Sequence, residues 1–347
     1  FMSVEWYAPL RAALFKLDPE KAHDLAFRLS AMPGANPLMK RLCGEPVADP
    51  VELMGLTFRN RVGLAAGLDK NGRHIDLLSR AGFGFVEVGT VTPKPQAGNP
   101  KPRLFRLTEQ RAIINRFGFN NEGIDAYLGN VASAQYDGII GLNIGKNATT
   151  SNENATDDYL IGLRRCHPIA SYITVNVSSP NTSNLRALQH DKALSQMLFA
   201  LVQERGRLQQ SGDRHVPLLL KIAPDLTDDQ IDEIAGQLVR HQLDGVIATN
   251  TTISRDGLGD SPHQQQAGGL SGAPLHDRST AVVKRLRASL PERFPLIGVG
   301  GIQNAQDAIA KFEAGADLIQ LYTGLIYQGP RLVSECARAA RQHFKNS

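Results

Sequence analysis

The sequence predicts an α/β fold, a (β/α)8 TIM barrel preceded by a small two-helix extension at its N-terminus. Three observations lead to this prediction. Eight short apolar runs recur between residues 61 and 324, and a helix-length amphipathic segment follows each of them. Polar residues and glycines gather at the C-terminal end of nearly every run. Repeated strand-then-helix units favour a closed barrel, in which these strand ends meet on one rim.

The apolar runs contain few alternating polar residues, which is typical of strands buried on both faces of a parallel sheet. They occupy residues 61–70, 85–92, 139–147, 172–181, 218–225, 245–252, 295–302 and 318–324. The predicted helices occupy residues 71–81, 122–134, 155–165, 193–209, 227–240, 277–289, 304–314 and 330–344. The alternative is a flavodoxin-like or Rossmann sheet, but no G-x-G-x-x-G motif follows the first run.

Composition limits the function classes. A chain of 347 residues with 42% hydrophobic and 21% charged residues is typical of a soluble globular protein and excludes disordered and collagen-like classes. The net charge of +4 does not require a nucleic acid, but it suits an anionic substrate or lipid head groups. Three widely spaced cysteines predict a reducing compartment with no disulfide framework and no metal site. No signal peptide and no spanning helix are expected.

Polar residues at the strand ends predict one composite site on the barrel rim. In a barrel of this kind the loops after the strands build the active site. The residues concerned are Asp69, Lys70, Thr90, Asn143, Asn176, Ser179, Asn181, Lys221, Asn250, Thr251, Gly300, Gly301, Tyr322 and Thr323. Glycine-rich stretches at 268–275, 299–301 and 321–324 favour a phosphate site there, because several backbone N–H groups can face one anion. Glycines that only turn tight corners are the alternative.

Lys221 lies inside an otherwise apolar run, "LLLKIAP". A buried ammonium needs an anionic partner, since desolvation disfavours its charge. It is either a Schiff-base lysine of an aldolase-type barrel or a fixed cation beside a cofactor ring that gains negative charge on reduction. A strand-end lysine that reaches solvent is a third possibility.

The motifs "GLAAGLDKNG", "EVGTVTPKPQAGNPKPRLFRL", "INRFGFNNEG", "NIGKN", "NVSSPNT", "KIAPDL", "IATNTT", "GGLSGAPL", "GVGGI" and "QLYTG" occur in this order. Together they resemble the dihydroorotate dehydrogenases, and more narrowly the quinone-dependent, membrane-associated class 2 enzymes, from about residue 5 to the C-terminus. The resemblance implies FMN as the cofactor. The matching flavin positions are Ala66, Gly67, Lys70, Thr90, Asn143, Asn176, Lys221, Thr249, Gly272, Gly301, Tyr322 and Thr323.

The resemblance also implies the catalytic residue. Ser179 stands at the position of the proton acceptor, where class 1 relatives carry a cysteine. A serine is a poor base, so a relay through Thr182 or an ordered water and a lid over residues 181–190 are expected to help it. The matching substrate positions are Lys70, Asn115, Arg116, Phe117, Gly118, Phe119, Asn176, Asn181, Asn250 and Thr251. Amide side chains suit the alternating N–H and C=O groups of a pyrimidine.

Residues 1–45 form a segment of their own, ahead of an FMN-binding barrel at 46–347. Apolar stripes around Leu14 and Leu25 predict two amphipathic helices, which either dock on the barrel or, as the resemblance implies, form an apolar mouth for quinone. His23, Arg106 and Tyr322 match the quinone positions, whereas Leu14 replaces a glutamine of some relatives. The implied location is the cytoplasmic face of the membrane, with peripheral contact. Rival functions are a fumarate- or NAD-linked relative, a Lys221 lyase and a membrane-surface flavoprotein without turnover.

Overall fold

The computed structural model describes residues 7–32, 36–182, 184–189, 191–211 and 214–346. The strands are β1 Val51–Leu53, β2 Leu56–Phe58, β3 Val62–Leu64, β4 Phe85–Val91, β5 Leu104–Leu107, β6 Ala112–Asn115, β7 Ile139–Ile144, β8 Tyr172–Asn176, β9 Leu218–Ile222, β10 Gly245–Ala248, β11 Gly269–Gly272, β12 Leu296–Val299 and β13 Leu318–Leu321. The helices are α1 Tyr7–Leu14, α2 Pro19–Ser30, α3 Asn36–Cys43, α4 Ile75–Ser79, α5 Ile124–Ser133, α6 Ala155–Cys166, α7 Asp191–Gln210, α8 Asp228–Arg240, α9 His276–Ser289, α10 Ala305–Glu313, α11 Thr323–Gln328 and α12 Arg331–Asn346. Two 3₁₀ turns span Leu185–Gln189 and Ala273–Leu275.

Eight parallel strands close into a barrel in the order β3, β4, β7, β8, β9, β10, β12 and β13, so the predicted (β/α)8 architecture is confirmed. Each predicted apolar run contains one barrel strand. All eight strands run in the same direction, so their C-terminal ends share one rim. The register pairs Asn176 of β8 with Lys221 of β9, and Lys221 with Ile247 of β10.

The opposite end of the barrel is closed by the antiparallel hairpin of β1 and β2, which the sequence did not predict. Phe58 of β2 is fully buried and packs edge-on against Phe85 of β4, with ring centroids 5.1 Å apart. Phe85 in turn packs on Tyr172 of β8. Strands of three residues are too short to give a periodic signal, which is why the hairpin was missed.

A third sheet, of three strands, lies at the rim. In it β6 pairs antiparallel with both β5 and β11. The sequence did not predict a strand within the glycine-rich stretch 268–275, where Gly269–Gly272 forms β11. Two glycines in four residues give a low intrinsic preference for strand. The segment is extended because it pairs with β6, which is distant in sequence.

The helices after the strands were largely predicted. At the start of α8 the hydroxyl of Thr227 accepts a hydrogen bond from the backbone N–H of Gln230. The side-chain oxygen of Gln230 accepts one from the backbone N–H of Thr227, which completes a capping box. Helix α4 begins later than predicted because the Asp69 carboxylate accepts from the backbone N–H groups of Arg73 and His74 and holds that stretch as a turn. The short α11 was not predicted.

In the described part of the chain three helices, rather than the predicted two, precede the barrel strands, because α3 follows α1 and α2. Residues 1–6 and 33–35 of the predicted segment lie outside the described residues. Asp18 caps α2 and Pro19 opens it. Helix α1 docks on α11, where the Tyr7 hydroxyl donates to the carbonyl of Ile326 at 2.6 Å. Among the described residues, no helix has the length and apolar character needed to cross a membrane.

Candidate active site

A cleft of about 140 Å³ opens on the C-terminal rim of the barrel. Most of the predicted cofactor and substrate residues line it together, although they come from nine different strands and the loops after them. These are Ala66, Gly67, Lys70, Thr90, Asn115, Phe117, Gly118, Phe119, Asn176, Ser179, Asn181, Lys221, Thr249, Asn250, Thr251, Gly272, Gly301, Tyr322 and Thr323. The predicted composite site on one rim is therefore present in the structure.

Lys221 points from β9 into the floor of this cleft and is 5% exposed. Among the described residues its ammonium makes no hydrogen bond and no ion pair; the charge it feels most is that of Glu87. Burial lowers the pKa of Lys221, and the Glu87 carboxylate opposes that shift. A buried cation that lacks a direct partner favours occupation of the cleft by an electron-rich or anionic group.

Glu87 of β4 organises the barrel interior below the cleft and was not predicted. Its carboxylate, which is fully buried, accepts from Asn143 Nδ2 at 2.7 Å, from the Tyr172 hydroxyl at 2.9 Å and from Gln320 Nε2 at 2.8 Å. Three donors compensate for the desolvation of a buried carboxylate. Gln320 also lines the cleft, and its Oε1 has no partner among the described residues. A charged or amide residue inside an apolar strand was the sequence signal for both.

A chain of amides and hydroxyls joins neighbouring strand ends. Thr90 donates to Asn143 Oδ1 at 2.6 Å and accepts from Asn176 Nδ2 at 2.9 Å. Asn250 Nδ2 donates to Asn176 Oδ1 at 3.2 Å and to Ser178 Oγ at 3.0 Å. Asn143 therefore lies behind the cleft wall and acts on the site through Thr90. The network fixes which amide atoms face the cleft.

Ser179 lines the cleft and is 6% exposed. Its hydroxyl oxygen accepts from the backbone N–H of Asn181 at 3.2 Å, and Asn181 Nδ2 donates to Asn115 Oδ1 at 3.2 Å. In the described part of the chain the Thr182 hydroxyl is buried and makes no hydrogen bond, so no direct hydrogen bond joins it to Ser179. The predicted relay would accordingly need a bridging water or the substrate. Ser183 and His190 of the expected lid lie outside the described residues.

Lys70 supplies a second cation. Its Nζ lies 4.0 Å from the centre of the Phe117 ring, and burial lowers the pKa of Lys70 to about 8.

Phe119 forms part of the cleft wall as expected. Arg116 does not line the cleft: its guanidinium donates to Gln266 Oε1 at 2.8 Å and lies over the Phe105 ring. Its side chain braces the loop before β11.

The end of the cleft formed by β12 and β13 fits a phosphate group. A Cβ added at Gly301, where φ is +76°, would lie 2.3 Å from the Cα of His276, so only glycine fits there. The Thr323 hydroxyl is 2.8 Å from the Ser271 hydroxyl. Within the described residues, no hydrogen bond engages the backbone N–H groups of Gly300 and Gly301. Free backbone N–H groups of this kind are the donors that a phosphate takes up.

A second cavity, of about 400 Å³, lies between the N-terminal helices and the barrel. His23 and Arg106 line this cavity and do not reach the rim cleft. Burial lowers the pKa of His23 to about 4, so its imidazole is neutral near neutral pH. The Arg106 guanidinium donates to the carbonyls of Leu14 and Leu17 and lies over the Phe15 ring.

The rim cleft and the helical cavity meet at the same side chains. Lys70, Phe117 and Tyr322 line both of them. Tyr322 is half-buried, and burial raises its pKa to about 12, so its hydroxyl remains protonated. A planar group seated in the rim cleft would therefore be reachable from two directions.

Comparison with known proteins agrees with this geometry. The family model described as "Dihydroorotate dehydrogenase" matches residues 50–342. A protein from Delftia acidovorans (strain DSM 14801 / SPH-1) named Dihydroorotate dehydrogenase (quinone) is 56% identical over 347 residues, which cover 98% of this chain and 99% of that relative. A protein of the same name from Burkholderia thailandensis is 55% identical over 333 residues, 96% of each chain.

A solved structure is similar over nearly the whole length. The crystal structure of DHODH from Eimeria tenella in complex with ferulenol superposes with a TM-score of 0.84 at 38% identity, covering 95% of this chain and 92% of that chain. Identity at this level over this coverage goes well beyond a shared barrel fold. The chain therefore belongs to the dihydroorotate dehydrogenase family.

Proposed function

We propose that this protein oxidises dihydroorotate to orotate, with FMN as hydride acceptor and a quinone as final electron acceptor, as a step of de novo pyrimidine biosynthesis. The observation that carries the proposal is the pair of openings that share Lys70, Phe117 and Tyr322. One opening is polar and holds Ser179, as an anionic pyrimidine requires. The other is lined by apolar helices, as a lipid-soluble quinone requires. Family membership supports the same assignment.

FMN fits the rim cleft. Bound there, it would supply a ring that takes up a hydride and releases two electrons to a second acceptor. The unpaired ammonium of Lys221 would meet the electron-rich edge of the ring system, and Gly301 and Thr323 would hold the phosphate with Gly272 and Tyr322. Ala66, Gly67, Thr90, Asn176 and Thr249 complete the lining, with Asn143 behind Thr90.

The polar opening suits dihydroorotate. Four amide side chains, from Asn115, Asn176, Asn181 and Asn250, can pair with the alternating N–H and C=O groups of the ring. The Thr251 hydroxyl, buried and unpaired among the described residues, offers one more contact. Lys70 would neutralise the substrate carboxylate. Ser179 would accept the proton from one ring carbon while the neighbouring carbon gives up a hydride.

The helical cavity suits a quinone head group. The neutral imidazole of His23 and the guanidinium of Arg106 are donors for the quinone oxygens, and the surrounding side chains, such as Leu10 and Leu14, are apolar. Residues 1–45 would thus serve as the quinone-access segment and 46–347 as the FMN-binding barrel. The His23 and Arg106 side chains would orient the quinone and leave electron transfer to the shared wall at Tyr322.

The exposed surface of α2 favours peripheral contact with the cytoplasmic face of a membrane. Leu25 and Leu29 of α2, and Met32 just after the end of α2, are 37%, 44% and 56% exposed. Apolar side chains on an amphipathic surface helix bind the lipid interface through their buried area. Quinone would then enter from the lipid side without crossing water.

An anaerobic experiment tests the proposal. Dihydroorotate added to the purified flavoprotein should bleach the flavin absorbance, and ubiquinone should restore it much faster than fumarate or NAD does. Faster recovery with fumarate or NAD would assign the chain to a soluble branch. A colourless protein whose Lys221 is trapped on substrate by borohydride would instead support Schiff-base chemistry.

A further inference from the structure

Arg186 joins three strand ends beside Ser179. It lies in the 3₁₀ turn Leu185–Gln189, and its guanidinium makes three separate hydrogen bonds. Nε donates to the carbonyl of Ser178 at 2.9 Å, Nη1 to Asp225 Oδ2 at 2.7 Å, and Nη2 to the carbonyl of Thr251 at 2.6 Å. Ser178 follows β8, Asp225 follows β9 and Thr251 follows β10, so three adjacent barrel strands are joined by one side chain.

The hydrogen bonds of Arg186 reach two loops that line the rim cleft. Ser178 is the peptide neighbour of Ser179, and Thr251 is the peptide neighbour of Asn250, which faces the same cleft. A guanidinium is planar and holds its donors in a fixed fork, so it sets the spacing between the groups that it joins. Arg186 therefore fixes the distance between the serine on one wall and the amide on the next.

Asp225 anchors the guanidinium from the far side. Its side chain is 11% exposed, and it also accepts from the Thr252 hydroxyl and from the backbone N–H of Ile253 at 3.0 Å. Gln189, one turn further along, accepts from the backbone N–H of Ala223 at 2.8 Å and ties the same segment to the end of β9. Arg186 and Gln189 thus both tie the segment after Ser179 to neighbouring strand ends, and of these two side chains Arg186 is the one that bonds to the loop carrying Ser179.

We propose that Arg186, braced by Asp225, is a positioning residue that holds the Ser179 loop at its working distance from the substrate. The proposal rests on the proposed function, because it assigns Ser179 the proton-accepting role. Arg186 itself does not line the cleft and would touch neither substrate nor FMN. Its loss should displace Ser179 relative to Asn250 while leaving the flavin end of the cleft intact.

The test compares Arg186→Gln and Arg186→Lys with the control Arg278→Gln. Arg278 pairs with the same carboxylate, Nη1 to Asp225 Oδ1 at 3.1 Å, but it is 42% exposed and touches neither Ser178 nor Thr251. For each full-length holoenzyme, anaerobic stopped-flow mixing gives the limiting rate of flavin bleaching by dihydroorotate and the substrate concentration at half-saturation. FMN content and the rate of recovery with ubiquinone are measured beside them.

Arg186→Gln should lower the limiting rate about 100-fold, since a misplacement of about 1 Å has that effect on an oriented reaction. Half-saturation should change far less, and FMN content and ubiquinone recovery should stay near the wild-type values. Substrate deuterated at the proton-donating carbon should show a larger isotope effect in the variant. Arg186→Lys keeps the charge but not the fork, so it should recover only part of the rate. Arg278→Gln should match the wild type throughout.

A limiting rate near wild type in Arg186→Gln would overturn the proposal. So would a loss shared equally by FMN content and ubiquinone recovery, which marks a purely structural role. If Arg186→Gln does not fold, Arg186→Lys decides: a wild-type rate there would contradict the need for a fork. Wild-type enzyme that dihydroorotate does not bleach would instead reject the proposed function, an outcome distinct from either of these.

Discussion

Replacing Lys221 by methionine separates two opposing effects of a buried charge. Burial is the largest cause of the lowered pKa of Lys221, and in the described part of the chain the ammonium has no hydrogen-bond acceptor. Methionine keeps the length of the side chain and removes the charge. Glu87 keeps its three donors in the variant. The free energy of unfolding of the apoprotein should therefore stay unchanged or rise, because a desolvated cation is gone.

The affinity for FMN, in contrast, should fall in Lys221→Met. A hydrogen bond from a charged group contributes about 1.5–3 kcal/mol, which corresponds to a dissociation constant raised about 10- to 150-fold when the bond is lost. Titrating apoprotein with FMN and following flavin fluorescence measures this constant. The matched control is Lys146→Met: Lys146 is also buried, but its Nζ donates to the Thr150 carbonyl at 2.6 Å, outside the cleft. Its dissociation constant should equal that of the wild type.

The pH dependence of the stability of the apoprotein independently tests whether burial destabilises the charged form of Lys221. Between the lowered pKa of folded Lys221 and its usual value of 10.5, the unfolded chain holds the extra proton, so the stability of the apoprotein should rise with pH across that window. Lys221→Met should lack this contribution. Wild-type affinity for FMN in Lys221→Met, or equal weakening in Lys146→Met, would refute the role of a buried cation beside the ring.

Three further predictions follow from the site and its surroundings. Burial lowers the pKa of Lys70 to about 8, so the affinity for dihydroorotate should be high at pH values below 8 and should fall as the pH rises through 8. A pH-independent affinity in the wild type, or the same pH dependence in Lys70→Met, would count against a contact between Lys70 and the substrate. Gly301→Ala places a Cβ 2.3 Å from the Cα of His276 and should sharply reduce the amount of bound FMN, measured as the flavin-to-protein absorbance ratio. The control Gly206→Ala adds a Cβ with nothing within 4 Å and should keep the wild-type ratio. Met32→Glu should weaken cosedimentation with lipid vesicles without slowing flavin bleaching, because Met32 is 56% exposed and does not line the rim cleft. Unchanged cosedimentation would argue against lipid contact through this surface.

Much of the fold follows from local sequence. Continuous apolar runs such as Ile139–Ile144 and Leu218–Ile222 mark buried parallel strands by themselves, and Thr227 with its capping box marks a helix start. The rim site was also predictable, because strand polarity alone brings the C-terminal ends together. Ser179 and Lys221, from different strands, line one cleft as expected.

The remaining features depend on contacts between distant parts of the chain. Strand β11 exists because it pairs with β6, and neither segment signals that partner locally. Glu87 lies in the middle of an apolar strand, but its three donors come from β7, β8 and β13. Arg116, placed in the substrate set by resemblance, instead bonds to Gln266 with its guanidinium over the Phe105 ring. Arg186 had no distinctive sequence context at all.

The most direct test of a single flavin reached from two openings measures the two half-reactions separately in two variants. Ser179→Ala should slow anaerobic bleaching by dihydroorotate by about 100-fold or more and leave recovery with ubiquinone unchanged, since general-base catalysis is worth about 10² to 10⁴ in rate. His23→Ala should slow recovery with ubiquinone and leave bleaching unchanged. If either variant slows both half-reactions to the same extent, the two openings do not serve separate substrates and the account is contradicted.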